Sequence, residues 1–303
     1  MHFTHVCEIG NIQTTSSLEL IMQHLVYEHV LVNNSRITCG IHGEGIPVVL
    51  VHGTPSSSYI WRNIVPSLAE SGYKAHVFDL LGYGLSERPW DPDIDTSVSG
   101  QVPVLEELFN HWGLESFHIV AHDIGGGIAQ RFAIDHPTRV KSLTMIDVVS
   151  FDSWPSKRTH EQMQAGLEKL IKSPDADHRE HFREWLYSTV QNKEGLAQSS
   201  MEVYLDFICN PVGQGSLFQH QVRHYDPRHT NDYAARYPEL KAIPVQLIWG
   251  ADDAWQVEAW AHKLHAAIPG SQLHVLDNCG HFAMEDQPEK ISSLLVDFLS
   301  RQE

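Results

Sequence analysis

The stretch VAHDIGGGIAQ, residues 120–130, contains the sharpest turn that the sequence predicts. Its first part is an apolar run typical of a buried strand, and its last part has the composition of a helix. Three consecutive glycines, Gly125, Gly126 and Gly127, open that helix, although each costs up to about 1 kcal/mol relative to alanine in a helix interior. They indicate a crowded backbone with no room for side chains. Asp123 stands at the turn, where the helix dipole favours a carboxylate.

Strand-like and helix-like segments alternate on both sides of this turn. Helical patterns cover 60–71 and 102–113, and an opening hairpin is predicted with Asn33 and Asn34 as its turn. The strands predicted from short apolar runs cover 28–33, 36–43, 47–53, 74–79, 117–122, 140–147, 243–250 and 271–277. This alternation predicts an α/β fold with a mainly parallel central sheet and helices on both of its faces.

One long segment, 148–237, interrupts the alternation with helical patterns rich in His, Trp and Tyr. We interpret it as a helical cap over the carboxyl edge of the sheet, where ligands bind in open α/β sheets. The core of the fold would then comprise 28–147 and 238–303. Residues 1–27 show no clear period and are interpreted as an N-terminal extension.

Composition excludes several classes of function. A net charge of −17 argues against nucleic acid and anionic membranes as partners, and no apolar run is long enough to span a bilayer. The first residues lack the pattern of a secretory signal, and the cysteines form no C-x-x-C pair. We therefore expect a cytoplasmic protein with reduced thiols, a small-molecule substrate, no metal and no cofactor. The sequence does not determine an oligomeric state. The cysteines are Cys7, Cys39, Cys209 and Cys279.

Three further stretches follow predicted strands in an informative order. They are HGTPSSSYIWRN at 52–63, DLLGYGLSERP at 79–89 and NCGHFAMEDQP at 278–288. Together with the turn at Asp123, they resemble the α/β-hydrolase superfamily from about residue 28 to the C-terminus. The turn then resembles a nucleophile elbow, with aspartate where serine usually stands. The simpler alternative is that Asp123 only caps the helix.

The resemblance implies a set of catalytic roles. Asp123 would be the nucleophile, and His281, in a Gly-flanked loop after the last strand, would be the general base. The acid that orients His281 would be Asp253 in WGADDAW, because the family's acid usually lies three residues after that glycine. Asp147, at the end of the strand after the elbow helix, is the alternative acid. The backbone N–H groups predicted to form the oxyanion hole belong to Thr54 and Ile124.

An aspartate nucleophile is suited to attack on an sp³ carbon that carries a leaving group, which gives an alkyl ester. The resemblance extends to epoxide hydrolases and to haloalkane or haloacetate dehalogenases. Thr54 stands where haloalkane dehalogenases have a halide-binding Asn, and Ile124 stands where dehalogenases place a Trp or an Arg. A departing halide would lack these donors, so the sequence favours an epoxide hydrolase over a haloalkane dehalogenase.

An epoxide hydrolase also needs a cap residue that protonates the opening oxygen, usually one of a pair of tyrosines. His220 in GSLFQHQ occupies a position where the epoxide hydrolase pattern has a tyrosine. Tyr187, Tyr204 and Tyr225 are the other candidates within the cap. Two alternatives from other classes stay open: an acid–base enzyme, esterase-like or lyase-like, without a covalent step, and a homologue that binds a small apolar ligand without turnover.

Overall fold

The computed structural model describes residues 25–302, and an eight-stranded sheet forms its centre. The strands are β1 Glu28–Val32, β2 Ser35–His42, β3 Ile46–Val51, β4 Tyr73–Phe78, β5 Phe117–His122, β6 Val140–Ile146, β7 Val245–Gly250 and β8 Gln272–Leu276. Their order across the sheet is β1-β2-β4-β3-β5-β6-β7-β8. The predicted α/β fold with a mainly parallel sheet is confirmed.

The two antiparallel pairs of the sheet both involve β2, which pairs with β1 and with β4. The hairpin turns at Asn33 and Asn34, whose φ values of 50° and 66° suit the primed turns that match strand twist. All other neighbouring strands are parallel. Every residue of β5 and β7 is buried, as expected for parallel strands with both faces covered.

The α-helices are α1 Val65–Glu70, α2 Val98–His111, α3 Ile124–Asp135, α4 Lys157–Ala165, α5 Leu167–Ile171, α6 Asp175–Tyr187, α7 Lys193–Ser199, α8 Met201–Ile208, α9 Pro211–Ser216, α10 Arg228–Asn231, α11 Glu258–Ala267, α12 Ala283–Asp286 and α13 Pro288–Leu299. The single helix predicted over 60–71 is instead a 3₁₀ turn, Ser58–Trp61, followed by α1. Pro66 explains the break, because proline lacks the N–H of a helix interior and favours the first helical turn.

The helices α4 to α10 lie between β6 and β7, together with a π turn at Leu217–Gln221 and 3₁₀ turns at Val222–His224 and Ala234–Ala242. Leu186, Tyr204 and Phe218 join the apolar cluster that covers one face of the sheet. The other face is covered by a second cluster, which includes Phe109 and Phe132. The division of the chain into core and cap remains our interpretation.

The N-terminal extension predicted over 1–27 lies almost wholly outside the described residues. Within them, the Tyr27 N–H donates to the Cys39 carbonyl at 2.9 Å, so this end continues along β2. Cys39, Cys209 and Cys279 are buried free thiols, while Cys7 falls in the part not described. Between residues 25 and 302, no helix has the length and apolar character needed to cross a membrane.

Candidate active site

Asp123 lies between the last residue of β5 and the first residue of α3, with φ 52° and ψ −125°. This is an unfavourable backbone conformation for a residue other than glycine, and it requires small neighbours. A Cβ on Gly53 would lie 2.4 Å from the Asp123 Cβ, and one on Gly125 would lie 2.4 Å from the His52 carbonyl oxygen. These glycines therefore make room for the turn that presents Asp123.

Gly126 is the most closely packed of the glycines at 125–127, because a Cβ there would lie 2.1 Å from Val148 Cγ1. We expect Gly126→Ala to lower the free energy of unfolding by about 1–3 kcal/mol, the typical effect of overpacking a core. Urea denaturation would measure it. Gly215→Ala is the control, since no atom lies within 4 Å of its added Cβ, and it should be neutral or slightly stabilising. Equal stability of Gly126→Ala and wild type would contradict this packing.

His281 lies between the carboxylates of Asp123 and Asp253. Its Nε2 is 3.6 Å from Asp123 Oδ2, and its Nδ1 is 2.8 Å from Asp253 Oδ2. The other Asp253 oxygen accepts the backbone N–H groups of Trp255 and Gln256, at 2.7 and 2.9 Å. These bonds hold the carboxylate, and the carboxylate holds the imidazole ring and its tautomer. The structure thus brings together the three residues predicted as a triad.

The charges of His281 and Asp123 stabilise each other. Burial disfavours the imidazolium of His281, but the Asp253 charge and the contact with Asp123 outweigh burial and raise the His281 pKa well above its ordinary value. Burial likewise disfavours the Asp123 carboxylate, but His281 overcomes it and the Asp123 pKa lies below its ordinary value. The free site therefore favours the charged forms of both His281 and Asp123.

Asp147 does not contact the His281 ring, although it lies close behind Asp253. Its Oδ1 accepts the Gly250 N–H at 2.8 Å, and the residue is fully buried. Burial and the Asp253 charge raise the Asp147 pKa well above its ordinary value, which favours the protonated acid. The distances therefore favour Asp253 over Asp147 as the partner of His281.

Both predicted oxyanion-hole N–H groups interact with the Asp123 carboxylate. The Thr54 N–H donates to Asp123 Oδ1 at 2.7 Å, and the Ile124 N–H also bonds to this carboxylate. His52 holds the loop of Thr54, since its Nδ1–H donates to the Gly53 carbonyl and its Nε2 accepts the Leu80 N–H. Burial lowers the His52 pKa, which keeps the ring neutral and both contacts possible.

His122 supports the catalytic histidine loop, a role that sequence reasoning did not assign. Its Nε2–H donates to the His281 carbonyl at 2.9 Å. Burial and the neighbouring His281 lower the His122 pKa to about 3, so the ring stays neutral. The only available signal was its position directly before Asp123 at the elbow.

The cavity above Asp123 and His281 has a volume of about 50 Å³ and includes several aromatic side chains in its wall. One water molecule needs about 10–15 Å³ of such space, so the cavity suits a small ligand. Trp185 and Trp255, with ring centroids 4.5 Å apart, line this cavity together with Trp154. Sequence reasoning noticed the aromatic cap but did not identify these tryptophans.

Tyr225 is the one candidate cap donor named above that lines the active-site cavity. Burial raises its pKa well above the ordinary value, so the phenol stays protonated and can donate. It lies near Thr54, whose hydroxyl is hydrogen-bonded to the buried Tyr83 hydroxyl at 2.8 Å. Tyr83, in the stretch DLLGYGLSERP at 79–89, is a site residue that the sequence analysis did not identify.

The structure does not bring the other candidate donors to the cavity. The His220 imidazole faces the Pro89 carbonyl and lines a separate cavity. Tyr187 lies two residues after Trp185 on α6, and side chains two apart on a helix do not share a face. Tyr204 donates to Glu285 Oε1 at 2.5 Å, and this hydrogen bond links α8 to α12. None of these three side chains lines the active-site cavity.

Among residues 25–302, no group of three His, Cys, Asp or Glu side chains is arranged to hold a metal ion. The polar atoms of the site are the carboxylates, the imidazole, the phenols and the backbone N–H groups described above. They are the groups needed for nucleophilic attack, proton transfer and stabilisation of an oxyanion.

Residues 46–288 match the family model of the alpha/beta hydrolase fold, so the chain belongs to this family. The protein is a hydrolase of the α/β-hydrolase fold.

Similar proteins include the cis-3-alkyl-4-alkyloxetan-2-one decarboxylase of Shewanella oneidensis, 25% identical, with 89% of this chain and 87% of that protein covered. A 2-hydroxy-6-oxononadienedioate/2-hydroxy-6-oxononatrienedioate hydrolase of Cupriavidus pinatubonensis is 27% identical, with 87% and 90% covered. The crystal structure of an alpha/beta hydrolase fold protein from Burkholderia ambifaria is 29% identical and superposes with a TM-score of 0.83, covering 91% of this chain and 99% of that one.

Proposed function

We propose that the protein is an epoxide hydrolase that acts on small epoxides through an ester on Asp123. The observation that carries this proposal is the different environment of the two Asp123 oxygens. Oδ1 accepts the Thr54 N–H in the predicted oxyanion hole, while Oδ2 faces His281 across 3.6 Å. One oxygen is thus prepared to become an ester carbonyl, and the other is available for attack.

In the first step, Asp123 Oδ2 would form a bond to a ring carbon of the epoxide. The carbon–oxygen bond of the ring breaks, and its electron pair stays on the ring oxygen. That oxygen takes a proton from the Tyr225 hydroxyl, which lines the same cavity. The result is a hydroxyalkyl ester of Asp123.

In the second step, His281 would take a proton from water, and the hydroxide would attack Cγ of Asp123. The Oδ1 atom becomes an oxyanion that the N–H groups of Thr54 and Ile124 stabilise. Collapse of this intermediate breaks the bond between Cγ and Oδ2. The departing Oδ2 takes the proton from His281, and the diol leaves with the original Oδ2 atom. Asp123 regains its second oxygen from water, and the proton left on its new carboxyl group returns to the Tyr225 oxygen.

Two observations favour an epoxide over a haloalkane. A departing halide needs N–H donors, but the indole N–H of Trp154 donates to Thr230 Oγ1 at 2.8 Å. The indole N–H of Trp255 donates to Ser188 Oγ at 3.1 Å. Two of the three tryptophan donors of the cavity wall are therefore already occupied, which leaves only Trp185, and Ile124 supplies no side-chain donor.

A β-lactone is a second candidate substrate, because one relative is named a cis-3-alkyl-4-alkyloxetan-2-one decarboxylase. Attack of Asp123 on the sp³ carbon bonded to the ring oxygen would open this four-membered ring and expel a carboxylate. The cavity of about 50 Å³ favours the smaller epoxide over a ring that carries two alkyl chains.

The test is a single turnover in ¹⁸O-labelled water with excess enzyme and a small epoxide such as propylene oxide, after a panel of epoxides, bromoalkanes and β-lactones has identified substrates. We expect a diol without ¹⁸O and one ¹⁸O atom in the peptide that contains Asp123. Label in the diol would show direct attack by water and exclude the ester route. No turnover of any epoxide, with turnover of another panel member, would exclude the epoxide assignment.

The two buried acids give a second prediction. Asp253→Asn should lower kcat/KM on the order of 10⁴-fold, because an amide cannot hold the correct tautomer of His281 or stabilise its charge. Asp147→Asn should lower it far less, since the amide has the size of the acid, the site disfavours a charge there, and Asp147 does not contact the ring. Steady-state kinetics on both variants measures this. Losses in the reverse order would make Asp147 the catalytic acid.

A further inference from the structure

A second cavity, with a volume of about 380 Å³, lies between the core and the cap and shares no residue with the active-site cavity. One wall is the core segment 88–90, which follows β4, and the other is formed by residues of 211–220. Its volume falls within the range of sites for small ligands, whereas the active-site cavity is much smaller. Its wall carries polar and apolar groups whose roles the catalytic proposal does not explain.

Arg88 is a cation without a carboxylate partner at this cavity. Its Nη2 donates to the carbonyls of Gly84 and Phe207 at 2.9 and 2.8 Å. Over the range 25–302, no Asp or Glu oxygen lies within 4.0 Å of its guanidinium, and no further hydrogen bond of this group is found. Arg88 therefore offers positive charge and free N–H donors to an anion.

His220 offers the opposite hydrogen-bonding role. The residue is 1% exposed, and its Nε2–H donates to the Pro89 carbonyl. Burial holds its pKa below the ordinary value, so the ring is neutral and Nδ1 carries a lone pair. Nδ1 is buried and has no partner among the described residues. A buried acceptor without a partner is costly, so this nitrogen would gain from a hydrogen-bond donor on a bound ligand.

The π turn that carries His220 adds to this argument. One such turn inserts an extra residue into helical structure, and π turns are frequent at functional sites. Here it spans Leu217–Gln221, and the Thr96 hydroxyl donates to the His220 carbonyl. The cap backbone is thus held against the core while the imidazole is directed to the second cavity.

Apolar groups complete the cavity. Trp90 is 97% exposed and Val212 is 65% exposed, although both are large apolar side chains. Their exposed surface, with Pro89 and Pro211 beside it, suits a flat apolar ring. Asp91 and Arg223 act on His220 with opposite charges. The Asp79 carboxylate acts favourably on Arg88 but forms no ion pair with it, so the Arg88 guanidinium can still bind an anion.

From these four features, we propose that this cavity binds a small aromatic hydroxy acid. The carboxylate would accept N–H groups of Arg88, the hydroxyl would donate to Nδ1 of His220, and the ring would lie against Trp90 and Val212. The ligand would bridge core and cap at a site separate from Asp123. This inference does not depend on the proposed epoxide hydrolase activity.

The test is calorimetric titration of the full chain with 3-hydroxybenzoate, 4-hydroxybenzoate, benzoate and phenol at neutral pH. We expect one hydroxybenzoate to bind about tenfold more tightly than benzoate or phenol, since each of these lacks one of the two polar contacts. No measurable binding of either hydroxybenzoate, or equal binding of phenol, would overturn the proposal.

Three variants locate the ligand. Trp90→Ala and Val212→Asp replace exposed side chains, so both variants should fold. Each should weaken hydroxybenzoate binding about tenfold or more. Leu31→Ala, at a residue 78% exposed on β1, is the matched control and should bind like wild type. His220→Phe should remove the preference for hydroxybenzoate over benzoate. Full binding by Trp90→Ala and Val212→Asp would overturn the proposal.

A last variant separates the two cavities. Asp123→Asn should bind hydroxybenzoate as wild type does, because the second cavity shares no residue with the site of Asp123. Loss of binding in this variant would place the ligand in the active site and overturn the proposal.

Discussion

His281→Gln is expected to accumulate a covalent ester on Asp123 and to lose turnover by about 10⁴- to 10⁶-fold. In the proposed route His281 serves the second step, because it activates the water that attacks the ester. Glutamine fills a similar space but cannot accept a proton from water. Asp123 keeps its contact with the Thr54 N–H, so the first step should continue.

Intact mass spectrometry of this variant would name the reaction. An epoxide should add its full mass, because ring opening expels nothing. A bromoalkane should add only its alkyl part, because bromide leaves. Peptide mapping should place the adduct on the peptide that contains Asp123, and hydroxylamine should remove it as expected for an ester.

His262→Gln is the matched control, since His262 lies on the surface of α11 with its side chain 59% exposed. It should turn over substrate at the wild-type rate and show no adduct. If wild type converts an epoxide but His281→Gln forms no adduct with it, the covalent route is wrong. An acid–base lyase would give that result, and a binding homologue would convert no substrate at all.

The elbow could be predicted because its cause is local. A strand that turns at once into a helix requires glycines. A Cβ added to them would clash with the His52 carbonyl and the Val148 side chain. The position of His281 after the last strand follows from parallel strands whose carboxyl ends meet at one edge. Neither inference needs knowledge of distant packing.

The choice between the two acids needed the distances. Asp147 and Asp253 follow neighbouring parallel strands, β6 and β7, so sequence order alone brings both to the same edge. The hydrogen bond of 2.8 Å between Asp253 and the His281 ring separates them.

The cap residues could not be predicted because their directions depend on packing. The π turn at Leu217–Gln221 adds one residue to a helical turn, which rotates the following side chains by about 100° relative to an α-helix. His220 lies within this turn and faces Pro89, although its position in the sequence suggested an active-site donor. The tryptophans of the cavity wall come from cap and core segments that only the fold brings together.

Asp123→Asn should lower the turnover rate by about 10⁴- to 10⁶-fold and form no adduct with any substrate. Asparagine tolerates a positive φ better than most residues, so the elbow at φ 52° should persist. The amide oxygen can still accept the Thr54 N–H, but the amide is no nucleophile. Circular dichroism and urea denaturation would verify that the variant folds.

The same variant should also lower the His281 pKa, because the ring loses one of the two carboxylates that stabilise its charge. Histidine NMR titration of Asp123→Asn against wild type would measure the shift. Asp252→Asn, beside Asp253 but exposed, is the control and should leave the His281 pKa nearly unchanged. An unchanged or higher His281 pKa in Asp123→Asn would contradict the electrostatics described above.

This shift has a consequence for the wild-type reaction. An alkyl ester on Asp123 is neutral, as the amide is, so ester formation should lower the His281 pKa in the same direction and release the imidazole as a base. The base must be neutral to act, and its neutral fraction falls about tenfold for each pH unit below the ester-state pKa. Acidic pH should therefore slow ester hydrolysis more than ester formation, since the Asp123 pKa lies below its ordinary value. Rapid-quench mass spectrometry of wild type should show the ester fraction rising as pH falls through the His281 pKa measured in Asp123→Asn. An ester fraction that falls with decreasing pH would mean that His281 is not the base for the second step.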